Sequence, residues 1–383
     1  MQRFYFDHNA TTPVAPEVLD TLAECAGQVY GNASSIHYFG QMAKQRLEGA
    51  RRQVARLIGA HPAEIVFTSG GTEADNLAIL GVARLAGTPG HVITTAIEHP
   101  AVLAACQALE REGYEATRVA VSSAGVVDPD DVRRALRPST RLISVMHANN
   151  ELGTLQPVGE ISAIAREAGV PLHVDGVQAV GKVPVDVNEL GVDLYSLSGH
   201  KLYAPKGVGA LYVRKGTRLA PIAFGGHHER DRRPGTENVP GIAALGRAAE
   251  LAGSRLAAES ERLAGLRDRL EAAVLARLGG TGINGARDSR VPNTSNLYFD
   301  AVDGEAMVIA LDLRGFAVST GSACSSGAVT PSHVLTAIGL SADRARSSLR
   351  FSLGYDNTAE QVDALVDALE ASVAHLRRIS VHA

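Results

Sequence analysis

Residues 64–111, EIVFTSGGTEADNLAILGVARLAGTPGHVITTAIEHPAVLAACQALER, switch repeatedly between two hydrophobic periods. Glu64 to Thr68 reads as a strand, Thr72 to Arg84 as a helix, His91 to Thr95 as a second strand and Pro100 to Arg111 as a second helix. Such alternation marks βαβ units, so the fold class is α/β with a parallel or mostly parallel sheet flanked by helices. Outward from this stretch the pattern continues. Strands are predicted at Arg141 to Met146, Pro171 to Asp175, Asp193 to Leu197 and Val208 to Val213, with a helix from Pro157 to Ala168 between them. Upstream, Gln41 to Ile58 places Leu47, Ala50, Val54 and Leu57 on one helical face.

From Val239 to about Leu278 the chain is rich in Ala, Leu, Arg and Glu, with Leu256, Leu263 and Leu270 seven apart. This predicts one long helix, or two in series, whose apolar stripe packs on both halves of the molecule; the heptads are too few for a coiled coil. Gly279-Gly280, further strand and helix signals and a helix from Thr358 to Arg378 follow. A chain of 383 residues exceeds what one core usually serves. The division expected is a large domain over 14–256 and a smaller α/β domain from 1–13 and 257–383.

Composition narrows the function classes. With 45% hydrophobic and 20% charged residues the chain is ordinary globular material. A net charge of -4 and the absence of a basic block exclude nucleic acid as an expected partner. No apolar run approaches the roughly 18–20 residues needed to span a bilayer, and the N-terminal segment has no signal-peptide core, so no membrane is expected and the cytoplasm is. Three cysteines, Cys25, Cys106 and Cys324, are too few and scattered for a disulfide framework or a metal site. Cys25 and Cys106 lie in helical-looking apolar stretches and read as buried small hydrophobes.

Three segments carry chemistry. In Ser196-Leu-Ser-Gly-His-Lys201 a lysine follows a strand among small residues, where an amine can approach a ligand and trap a carbonyl, with Ser198 and His200 as phosphate donors. Alone, a Ser-x-x-Lys is more often a surface lysine. Pro171-Leu-His-Val-Asp175 ends a buried-looking strand in a carboxylate, where open α/β sheets gather ligand groups. Asp175 is either a helix N-cap or the acidic partner of a pyridinium nitrogen, and Gln178 is then placed for the phenolic oxygen. Thr68-Ser-Gly-Gly-Thr-Glu73 runs from strand to helix, so that Gly71 and Thr72 offer amides to a phosphate or simply begin a capped helix. It matches neither a Walker A loop nor a dinucleotide fingerprint. Together the three describe pyridoxal phosphate held as a Schiff base on Lys201.

Nine ordered motifs carry the resemblance further: Phe6–Pro13, Thr68–Asn76, Glu98-His99, His147–Gly153, Val174–Gln178, Ser198–Lys201, Arg233–Asn238, Gly321–Ser325 and Leu349–Leu353. Over nearly its whole length the chain resembles cysteine desulfurases of the NifS/IscS type, in the class V branch of the fold-type I pyridoxal phosphate enzymes. The resemblance implies that Lys201 anchors the cofactor, Asp175 pairs with its ring nitrogen and Gln178 with its phenolic oxygen. Gly71, Thr72, Ser198 and His200 would hold the phosphate, joined by Thr236 from the other subunit of a homodimer. His99 would stack on the ring and move protons, as its near-neutral intrinsic pKa suits. Arg350 would clamp the substrate carboxylate with Asn150 nearby.

Cys324 lies in Ser319-Thr-Gly-Ser-Ala-Cys-Ser-Ser-Gly-Ala328, a run of small residues that reads as a mobile, exposed loop. By resemblance, L-cysteine displaces Lys201, which takes the α-proton; Cys324 attacks the substrate sulfur, becomes a persulfide, and alanine leaves. The length from Thr320 to Thr336 resembles the group that feeds iron–sulfur scaffold proteins, so a scaffold or another sulfur acceptor is the expected partner. No resident metal is expected, though Cys324 is a candidate transient iron–sulfur ligand. Two departures stand out: His228 where relatives usually carry glutamine, and an end at Ala383 short of the tail some relatives use for docking. The competing readings are selenocysteine lyase or another class V activity, and a pyridoxal phosphate-binding scaffold without turnover.

Overall fold

The computed structural model describes residues 2–320 and 331–380. The chain opens with a short strand, β1 (Phe4–Tyr5), and helices α1 (Pro16–Gln28) and α2 (Tyr38–Leu57). The alternating region then runs β2 (Ile65–Thr68), α3 (Gly71–Ala83), β3 (His91–Thr95), α4 (Pro100–Arg111), β4 (Glu115–Val119), α5 (Pro129–Ala135), β5 (Thr140–Met146), α6 (Val158–Ala168), β6 (Leu172–Asp175), α7 (Val187–Leu190), β7 (Leu194–Ser198) and β8 (Gly209–Val213). These strands form a seven-stranded sheet in the order β2-β8-β7-β6-β5-β3-β4, in which β8 alone runs antiparallel to its neighbours.

Burial follows the two-residue period of a strand. Ile65 and Phe67 join one core cluster and Val66 the other; Ile93 and Ile143 go with the first, Val92 and Leu142 with the second. Both faces are therefore covered, which is why β2, β3, β6, β7 and β8 are buried at every position. The edge strand β4 differs, exposing Glu115 and Arg118 and so blunting the open edge with charge.

Helix α8 (Val239–Arg277) is one uninterrupted element of 39 residues. Ile242 to Ala252 pack in the first large core, and Leu263 to Val274 in a separate core with Phe6, Leu297, Phe351 and Leu365. That second core belongs to the antiparallel sheet β9 (Thr281–Ile283), β10 (Thr294–Phe299) and β12 (Ser348–Ser352), order β12-β10-β9, with α9 (Gly304–Asp312) and α12 (Ala359–Ser380). The remaining elements are β11 (Phe316–Ala317), α10 (His333–Ala337) and α11 (Ala342–Arg346). Because β1 pairs with β11, the chain begins in this second body and crosses to the first through Asn9–Thr12. Among the described residues no helix is long and apolar enough to cross a membrane.

Candidate active site

The C-terminal ends of β6 and β7 open onto a cavity of about 400 Å³ lined by Gly71, Thr72, His99, Asn150, Asp175, Gln178, Ser198, His200, Lys201 and Arg350, together with Asn9, Ala10 and Asp75. All the expected cofactor and substrate residues except Thr236 and Cys324 are thereby brought together. Thr236 is exposed and does not line the cavity of its own chain, and Cys324 lies outside the described residues. A larger hollow of about 660 Å³, lined by Arg166, Asp193, Arg214 and Lys215 among others, sits by the opposite strand ends. None of Lys201, Asp175 or His99 lines it, and open α/β sheets bind ligands at the carboxyl ends.

Lys201 closes a short helical turn, Gly199–Lys201, directly after β7. The amine donates to the carbonyl of Ala10 at 2.7 Å and to that of Asn9. The N-terminal crossing also grips the turn itself, since the Thr12 amide and hydroxyl both donate to the His200 carbonyl at 3.0 Å and His200 Nδ1 meets Thr11 Oγ1 at 3.1 Å. Asn9 through Thr12 are thus part of the site, although the sequence reading assigned them no chemistry. Their motif was visible, but not their contact with a lysine 191 or 192 positions away.

Asp175 ends β6 and is buried; its Oδ1 accepts the Val177 amide at 3.0 Å. Burial pushes its carboxyl pKa up, while His99 and Lys201 pull the other way. Two further carboxyls lie behind it. Glu98 is buried and pushed up to about 8 by burial and by the like charge of Asp175, despite bonds from Thr95 Oγ1 and the Met146 amide. Asp75, also buried, is pushed well up for the same two reasons. Three neighbouring buried carboxyls cannot all ionise, so the charge goes to the one that Lys201 and His99 favour, Asp175. The sequence reading missed Asp75 and Glu98 as a pair of neutral neighbours.

His99 caps α4, its Nδ1 accepting the Ala101 amide at 3.1 Å. A backbone N–H can only donate, so the neutral ring carries its proton on Nε2. Burial holds the imidazole pKa down and Lys201 adds to this, against the pull of Asp175. Arg350, on β12, is 2% exposed; Nη2 pairs with Asp7 at 2.7 Å and Nη1 donates to the Asn150 carbonyl at 3.1 Å, while Nε is buried with no hydrogen-bond partner. The backbone of Arg350 pairs with Ser319, and Ser332 and His333 bond Glu151 and the Glu98 carbonyl, so residues flanking 321–330 on both sides meet the site.

The donor set fits pyridoxal phosphate. An amine, a buried carboxylate, a carboxamide and a helix start converge on one cavity of ordinary ligand size. At Gly71 a Cβ would stand 2.8 Å from Val177 Cγ2, so only glycine lets the start of α3 pack this closely beside the strand ends. Gly176 is equally constrained: a Cβ there would fall 1.9 Å from the Tyr195 ring, which packs beneath the Asp175 turn. Among the described residues no cluster of His, Cys, Asp and Glu could hold a metal.

The family model for class-V aminotransferases matches residues 4–365. The chain is 49% identical over 377 residues to cysteine desulfurase IscS of Dictyoglomus turgidum, covering 98% of this chain and 96% of that protein. It is 47% identical over 382 residues to a cysteine desulfurase of Gluconacetobacter diazotrophicus, covering 99% and 96%. A solved NifS-like protein superimposes with a TM-score of 0.92 at 36% identity, covering 98% of this chain and all of that one. The structure of SspA in complex with cysteine gives 0.82 at 38% identity, covering 91% and 98%. Likeness of this extent, over the cavity and both bodies alike, means that the chain belongs to the class-V aminotransferase family, among its cysteine desulfurases.

Proposed function

We propose that the cavity takes sulfur from L-cysteine, releasing L-alanine and leaving the sulfur on Cys324 as a persulfide, with pyridoxal phosphate bound at Lys201. The observation that carries this reading is the convergence of Lys201, Asp175, His99 and Arg350 on one cavity, with Ser319 paired to the backbone of Arg350. Bound there, pyridoxal phosphate supplies an electron sink for negative charge at the substrate α-carbon. Gly71, Thr72, Ser198 and His200 hold its phosphate, and Asp175 and Gln178 hold its ring.

The protein groups do the rest. Arg350 turns its guanidinium from Asp7 to the substrate carboxylate, with Asn150 beside it. Lys201 removes the α-proton. The Cys324 thiolate attacks the substrate sulfur; an S–S bond forms, the C–S bond breaks, and its electron pair stays with the β-carbon, which is protonated, while the α-carbon regains a proton so that alanine can leave. For His99 the cap sets a condition: the ring can take a proton only by releasing the Ala101 amide from Nδ1.

A homodimer completes the site with Thr236 from the second copy. Its support is an exposed apolar cluster, Tyr30 at 71%, Ile36 at 94% and Tyr38 at 70% exposure, with Phe39 stacked on Tyr30. The persulfide passes to a sulfur acceptor, for which an iron–sulfur scaffold protein is the proposed partner. Cys324→Ser tests the core of this. It is expected to keep the visible cofactor band but lose both alanine formation and protein-bound persulfide; undiminished sulfide release would sink the reading. Transfer of labelled persulfide sulfur to a scaffold protein tests the acceptor.

A further inference from the structure

Lys182 is a buried lysine that the proposed reaction does not use. It lies beside the site, bonded to two of its lining residues, four residues after Gln178, and is 9% exposed. Its amine donates to Asn9 Oδ1 at 3.1 Å and to Gln178 Oε1. Among the described residues, no carboxylate bonds to it. The charged or titratable groups around it are Lys201, Arg350, His8 and His200, and burial together with Lys201 and Arg350 holds its pKa well below the lysine range.

The partner set decides how the Gln178 amide lies. Lys182 donates an N–H to the amide oxygen. On the other side Gln178 Nε2 donates at 3.0 Å to the carbonyl of Asn9, which can only accept. Flipping the amide would take its oxygen away from the Lys182 N–H and set oxygen against oxygen at Asn9, in a buried place where unpaired groups are costly. Gln178 lines the cavity, and one of its two amide hydrogens is left over.

We propose that Lys182 is a positioning residue: it caps the oxygen of Gln178 so that Gln178 presents only N–H to the cofactor's phenolic oxygen. The inference rests on the reading of the cavity as a pyridoxal phosphate site. An N–H donated to that oxygen stabilises its negative charge without help from the proton on the Lys201 linkage, so that proton leaves at lower pH. Without Lys182, only the Asn9 carbonyl still holds the amide in this sense, so turning the Gln178 oxygen inward costs one bond where it had cost two, and the linkage keeps its proton longer.

The measurement is the pH midpoint of the visible band of the cofactor-loaded protein. Lys182→Met, close in shape and without a donor, is expected to move the midpoint up by about one pH unit, the size of one hydrogen bond to a charged group. In a Gln178→Leu background the same change is expected to move it by less than about a third of that, because Lys182 acts through Gln178. The double variant leaves neither partner orphaned, so its comparison with Gln178→Leu stands even if Lys182→Met alone does not fold. An unmoved midpoint in Lys182→Met, or a full shift in the Gln178→Leu background, overturns the role of Lys182. A native protein that forms no titrating visible band with pyridoxal phosphate overturns the cofactor reading instead.

Discussion

Two groups of buried carboxyls stand on the large sheet, and they are treated oppositely. Glu229 is buried with its counter-ion: Arg51 donates to both oxygens at 2.8 and 2.7 Å, the Phe67 amide adds a third bond at 2.9 Å, and the guanidinium lies 4.8 Å from the Phe67 ring. Asp175, Asp75 and Glu98 are buried without an arginine, and one oxygen each of Asp75 and Glu98 has no hydrogen-bond partner. The first arrangement is closed. It holds Glu229, Arg230 and Asp231 in left-handed backbone at φ 44°, 57° and 64°, a conformation that costs of order 1–3 kcal/mol per residue and persists only when its surroundings enforce it. The second is open, a store of protons and charge that a ligand completes. Where the chain supplies the counter-ion, burial makes an anchor; where it withholds one, burial makes a site.

The contrast can be broken at its functional end most severely. Lys201→Ala removes the amine that both retains the cofactor and takes the α-proton, and alanine formation is expected to fall at least about 10²- to 10⁴-fold with loss of the visible band. At the anchor, Glu229→Ala takes from Arg51 its buried bidentate partner, leaving the half-exposed Glu48 and the Ile65 carbonyl, and is expected to cost about 3 kcal/mol in denaturant unfolding, whereas Arg51→Met combined with Glu229→Leu recovers much of it. A retained melting midpoint in Glu229→Ala would show the pair to be ornamental.

Acidity separates the two regions further. The Glu98 pKa is raised, to about 8 from 4.5, so the folded state binds its proton more tightly than the unfolded chain does. Its favourable contribution is therefore complete below about pH 4.5 and is lost as pH climbs to about 8. Glu98→Gln, which cannot ionise, is expected to gain on the native protein across that window in unfolding free energy, and a difference that is flat with pH would place the charge elsewhere. The smallest effect is expected from Asp75→Asn. An already neutral carboxyl becomes a neutral amide, so stability is expected to change by less than about 1 kcal/mol.

Much of this architecture was legible because short-range pattern and long-range burial agree. His91–Thr95 and Pro100–Arg111 were readable to the residue, since the β-branched run Val-Ile-Thr-Thr and a helix opening on proline are locally unambiguous. β4 was not specified: Glu-Ala-Thr-Arg-Val at a sheet edge has half its side chains in water and no apolar run. The reversed direction of β8 was also hidden, because strand direction depends on where the connection leads. Among site residues, Lys201, Asp175, His99 and Arg350 sit in motifs that name their chemistry. Asn9, Asp7 and Lys182 do not, because each acts through a partner chosen by the fold: Asp7 and Arg350 are 343 positions apart. The Gln178–Lys182 spacing of four was the one local hint.

Helix α8 leaves a constraint on editing. Its ends are embedded in different cores, yet between Ala252 and Leu263 no residue is buried. At 1.5 Å per residue it is a rod about 58 Å long, and its phase is set by residue count. One residue inserted in the bare stretch would turn everything beyond it by about 100°, swinging the Arg350 strand away from Lys201 while leaving both cores locally intact. Seven would bring the phase back to within about 20° but push the two bodies about 10 Å apart. The most solvent-exposed part of the longest helix, where single substitutions should be cheapest, is thus where insertions and deletions should be least forgiven.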